Sequence, residues 1–282
     1  MSTASPPSPP VPENGTSWLP GLLQLTDSFF PTGAYAHSFG LEGLVQEGTV
    51  TNAATLRAFL LETFLPALGK TDLPVAALAW TALGNDSAPG RSIQSISSIR
   101  SITGLPDGRH GLDGLDGPPS EEPGGPDWAA LEEICGRCAA LKPSREPREA
   151  SENIGRQRLD MLCRLHPGGL AEEFSHRAQA GQWRVAAPVA AALEGRVLGA
   201  PQSGVLAAVF YSATAGVLAA AMKLVRIGQN TAQSLLSEAL TLAPDMLPSA
   251  AALTLAETGS FNPWLDIAAA RHETADGRLF IS

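Results

Sequence analysis

The chain has 282 residues, 44% hydrophobic and 17% charged, with a formal net charge of −9. That length suits one well-buried domain with extensions, or two small ones. An acidic chain with scattered arginines lacks the clustered cations that phosphate neutralisation requires, which argues against nucleic-acid binding. Three cysteines, and a Ser/Pro-rich start with neither a basic region nor an apolar run, point to reduced thiols in the cytoplasm.

Residues 1–16 read as a disordered tail. The most informative stretch follows, LLQLTDSFFPTGAYAHSFGLEGLV, from Leu22 to Val45. Apolar helix material (Leu22, Leu23, Leu25) meets a breaker (Pro31, Gly33), and a second helix begins at Leu41-Glu42. The loop between them carries Tyr35, His37 and Ser38, an aromatic, an imidazole and a hydroxyl that a core would not need so close together. It points to recognition before catalysis, because no nucleophile has a base at readable spacing.

Further helices are expected over Thr51–Leu68, capped by Thr51, and over Asp72–Leu83, capped by Asp72. Residues 85–126 hold a Ser/Ile repeat and then a run dense in Gly, Pro and Asp, which cannot build a core. This segment reads as a flexible insert within one domain spanning 17–282, with an interdomain linker as the alternative. Helices resume over Asp127–Leu141, Arg148–Leu165, Leu170–Ala180 and Pro188–Leu198. The Ala-rich stretch Ser203–Val225 is apolar, yet Tyr211, Ser212, Thr214 and Lys223 mark it as a central buried helix rather than a membrane span. Lys223 in its last turn complements the helix dipole, and Gly228 is the expected left-handed cap. Thr231–Leu242, Pro248–Thr258 and Trp264–Thr274 complete an all-α domain of about ten helices. Its apolar ending, Leu279 to Ile281, needs a docking place, on its own domain or on a partner.

Cys135 and Cys138 form a C-x-x-C whose thiols share a helix face and could grip one metal ion. No second such pair or His pair accompanies them, and two small residues on a packed face is the plainer reading. Cys163 reads as core. The five histidines show no ligand spacing. His110 falls in the insert, and no phosphate loop or nucleophile elbow is present. An acid/base pair of His37 and Glu42 has no cofactor motif behind it.

Four motifs, in order, resemble those of the UreF family of urease accessory proteins. They are LLQLTDSFFPTGAYAHSFGLE at the start, REASENIGRQRLDML from Arg148, MKLVRIGQ from Met222 and ARHETADGRLFIS at the end. Arg226 stands where the family usually has Pro, Ile281 where it has a penultimate Arg, and Ala34 where a second Gly is common. The resemblance implies an all-helical, non-enzymatic maturation chaperone without a cofactor. Such a protein acts with UreD (also called UreH) and the GTPase UreG, forms a homodimer in the complex, and serves nickel insertion into apo-urease. It further implies contact with the GTPase through Glu42 and Lys223, with Tyr35, His37 and Ser38 beside them. Contact with UreD would run through an ordering tail bearing Arg271, His272, Arg278 and Phe280. A small metal-handling protein built on Cys135 and Cys138 is the competing expectation.

Overall fold

The computed structural model describes residues 15–84, 125–275 and 277–281. The Ser/Ile repeat and His110 lie outside them. Among the described residues every regular element is helical and no strand occurs, as the sequence predicts.

Helix α1 (Leu19–Thr26) carries Pro20 in its first turn, where a missing N–H costs nothing. A 3₁₀ turn, Ala34–Ala36, leads from it to α2 (Leu41–Gln46). Helices α3 (Ala53–Ala58) and α4 (Leu65–Lys70) are joined without a break by a π-helical turn, Phe59–Phe64. Pro66 at the start of α4 cannot donate a helical hydrogen bond, and the wider turn absorbs the mismatch. Thr51 is not the cap of α3. The Asn52 carboxamide oxygen accepts from the N–H groups of Ala54 and Thr55, and the Thr55 hydroxyl accepts from Asn52 N–H. Nor does Asp72 cap α5 (Asp72–Ala82). It lies in the first turn and pairs with the Lys142 ammonium at 2.7 Å.

The chain re-enters where it left: Asp127 N–H donates to Ala82 O at 2.7 Å, and Asp127 caps α6 (Trp128–Ala140). Then come α7 (Arg145–Leu165), α8 (Gly169–Ala180), α9 (Ala187–Leu198), α10 (Gln202–Leu224), α11 (Gln229–Leu240), α12 (Ala243–Ala251) and α13 (Pro263–His272). Most helix ends shift by a few residues from expectation, α7 for one starting at Arg145 rather than Arg148, and two shifts have a clear local cause. Pro248 lies inside α12, which starts earlier because Pro244 occupies its first turn. The left-handed residue closing α10 is Arg226 (φ 55°), whereas Gly228, at φ −75°, caps α11.

Helix α5 separates two packed cores. Its Leu73, Ala76 and Ala77 join α2 to α4, α10 to α13 and Phe280 in the first. Its Val75 and Ala79 join α6 to α9 in the second. Helix α10 is long and apolar enough to cross a membrane, but Leu206, Phe210, Val217 and Leu218 are buried in the first core.

Candidate functional site

The first and last motifs meet. Glu42, in the first turn of α2, is 3% exposed, a burial that would be costly for an unpaired carboxylate. Its oxygens accept from Leu279 N–H at 2.7 Å and Phe280 N–H at 2.9 Å. Its Oε2 also lies 2.8 Å from Nε2 of His272 at the end of α13. The other ring nitrogen, Nδ1, lies 2.8 Å from Oε2 of Glu146 on α7. The imidazole is thus held between two carboxylates, one at each ring nitrogen. Arg278 closes the group, its guanidinium 2.6 Å from Glu146 Oε1.

The tail is thereby strapped across the opening motif. Gln46 Nε2 donates to Gly277 O at 2.8 Å, and Ile281 N–H donates to Ala36 O at 2.8 Å. Phe280 is buried in the first core with the Lys223 ammonium 5.3 Å from its ring centroid, a cation–π distance. Arg271 pairs with Glu47 and Arg145 with Glu273 at the rim. Such exposed pairs contribute little stability. Close packing at Gly43 underlies the whole arrangement: a Cβ there would sit 2.5 Å from Ala268 O on α13. Of the two docking alternatives for the tail, Phe280 takes its own domain, while Leu279 and Ile281 stay exposed.

Ser38 and Glu42, expected on a GTPase face, and His272, Arg278 and Phe280, expected on a UreD face, therefore share one hydrogen-bonded cluster completed by Glu146. Tyr35, Lys223, Arg271 and Arg278 are exposed. Glu42, His37, Ser38, His272 and Phe280 are buried beneath them. Ser38 Oγ accepts from Glu42 N–H at 3.3 Å. Burial lowers the pKa of His37 from its ordinary value, and the Glu146 carboxylate partly opposes the shift. Glu146 is the residue that sequence reasoning missed. It lies 126 positions from His272, just ahead of the helix expected from Arg148, and no spacing announces the contact.

The C-x-x-C lies inside the packing of the domain. Cys135 and Cys138 are buried in the second core, and burial, aided by the neighbouring thiol and Glu132 at Cys135, pushes each up to about 12. At Cys138 the Lys142 ammonium only partly opposes burial. The thiolate is the metal ligand, so a metal ion would have to displace both protons to bind there. Among the described residues no group of three or more His, Cys, Asp or Glu could hold a metal. Cys163 lies at the edge of the same core, only partly buried. The expected result with an aromatic disulfide reagent at pH 8 is that Cys135 and Cys138 stay unlabelled until the chain unfolds, with a thiolate fraction of about 10⁻⁴. Prompt labelling of either would contradict this burial.

Comparison with known proteins agrees with the motifs. The UreF family model matches residues 50–240. The chain is 28% identical to the urease accessory protein UreF of Paracidovorax citrulli, over the whole of both chains. It is 30% identical to that of Xanthobacter autotrophicus, covering 94% of this chain and 91% of the relative. To that of Lachnoclostridium phytofermentans it is 26% identical, covering 93% and 97%. With the family model spanning most of the chain and the Paracidovorax citrulli relative matching it from end to end, the chain belongs to the UreF family of urease accessory proteins.

Proposed function

We propose that this chain is a cytoplasmic scaffold for nickel insertion into apo-urease, one that joins a UreD-like protein to a UreG-like GTPase and governs its GTP hydrolysis. It works by binding rather than turnover, as a single helical domain over 17–282 that pairs with a second copy in the assembled complex. Nickel is the cargo. The observation that carries this reading is the junction itself: a buried carboxylate, Glu42, ties the closing motif to the opening one. A tail whose order depends on the opening loop gives a scaffold one means of relating two partners. Tyr35 and Lys223 offer an aromatic ring and a cation to the GTPase, while Glu42, His37 and Ser38 shape that surface from beneath. Arg271 and Arg278 face UreD, and His272 and Phe280 hold the tail in place for it.

The test is co-expression with the UreD and UreG proteins of the same source, followed by size-exclusion chromatography with mass determination. The full chain is expected to form a complex with both. A chain ending before Arg271, its helix content checked by circular dichroism, is expected to lose UreD. A full chain that elutes free of both partners would sink the proposal.

A further inference from the structure

We propose that Gln157 and Arg158 of α7, backed by Glu194 of α9, form a support that sets the position of the turn from Asp27 to Ala36. Recognition through Phe29 and Tyr35 then depends on residues beneath the turn. The inference rests on the reading that this turn meets a partner.

The turn presents Phe29 and Tyr35 to solvent, at 92% and 76% exposure, on a backbone held from below. Oriented to satisfy its neighbours, the Gln157 side-chain nitrogen donates to Pro31 O at 3.0 Å and Thr32 O at 2.9 Å. The adjacent Arg158 sends Nη2 towards Leu25 O at 3.5 Å and lays its guanidinium 5.8 Å from the Phe30 ring centroid. Two neighbouring side chains thus engage three carbonyls and one ring of the segment leading into and around the turn. The turn's own hydrogen bonds, such as Phe30 N–H to Asp27 O and Ala36 N–H to Gly33 O, are short-range and fix its shape, whereas the bonds from Gln157 and Arg158 tie that shape to α7.

Arg158 is itself positioned from behind. Its Nε and Nη2 both donate to Oε2 of Glu194, at 3.0 and 2.5 Å. Glu194 is 1% exposed, and its Oε1 is buried with no hydrogen-bond partner. A buried ion pair with an orphan oxygen is a poor device for stability, because desolvation offsets the Coulombic gain. It does fix the guanidinium plane, and with it the aim of Arg158 at Leu25 and Phe30.

The test compares wild type, Gln157→Ala and the double variant Arg158→Met/Glu194→Met in the full chain. The double variant replaces a buried pair with apolar groups of similar length, and such replacements are often neutral in stability. Amide hydrogen exchange at Phe30, Thr32 and Ala36, each bonded within the turn, is expected to quicken about tenfold in both variants while α5 amides keep their wild-type rates. Affinity for the partner that binds the turn is expected to fall about tenfold as well. Unchanged exchange in Gln157→Ala, whose exposed side chain leaves folding intact, would overturn the support. Quickened exchange with unchanged affinity would overturn its link to recognition. If wild type itself binds neither accessory protein, the proposed function fails while the exchange result still decides the support.

Discussion

Alanine at Gly43 is expected to destabilise the chain by about 3 kcal/mol or more and to free the C-terminal tail. The new Cβ would meet Ala268 O at 2.5 Å and Ala268 C at 2.9 Å, and backbone on a packed helix cannot rotate aside as a side chain can. Helix α2 must therefore back away from α13. Glu42 is the adjacent residue: its bond to His272 crosses that gap, and its bonds to Leu279 and Phe280 hold the tail that follows α13. Overpacking and the loss of charge-assisted hydrogen bonds to a buried carboxylate then add at one place. Urea unfolding measures the first effect, and carboxypeptidase release of the last residues measures the second. Gly136→Ala is the matched control. No atom lies within 4 Å of a Cβ there, and an exposed helical glycine replaced by alanine is expected to gain up to about 1 kcal/mol. Equal stability of the two variants would contradict the close approach of α2 to α13.

Arg158→Ala is expected to cost about 3–5 kcal/mol at neutral pH, because it strands the Glu194 carboxylate in the core. Burial raises Glu194 above its ordinary range, and the charge and hydrogen bond of Arg158 hold that rise in check. A carboxyl raised by folding contributes stability that is full below its unfolded value and lost as the pH climbs through its folded value. Removing Arg158 removes the check. The variant should therefore lie nearest to wild type in acid and fall furthest behind as the pH rises through the Glu194 titration. The double methionine variant, with no carboxyl to strand, should lack this pH-dependent gap. Unfolding curves across the range from pH 4 to pH 8 separate these cases. An Arg158→Ala cost that does not grow with pH would mean that Glu194 is not held as described.

The helices were legible because apolar residues recur at helical spacing, as Leu56, Phe59, Leu60 and Phe64 do. Their ends were less so. Thr51 and Asn52 are both good caps, and it is the Asn52 side-chain oxygen, accepting from the N–H groups of Ala54 and Thr55, that settles on the second. Pro248 reads as a start in isolation, yet Pro244 had already opened the helix. Gly228 is the residue that tolerates a left-handed conformation at least cost, but the turn falls two positions earlier, on Arg226. At the site, the motifs picked out Glu42, His272, Arg278 and Phe280, though as parts of two surfaces. That one carboxylate serves both ends of the chain is a tertiary fact. Glu42 and Phe280 are 238 positions apart, and nothing local to either marks the contact.

The central claim is that this chain serves the nickel loading of urease, and the most direct measurement is the nickel content of urease purified from a urease-positive host lacking the chain. Urease from such cells is expected to carry little nickel. Wild-type chain supplied in trans should restore it, and the Gly43→Ala variant should restore much less. Fully nickel-loaded, active urease from cells without the chain, under the same limiting nickel, would contradict the account.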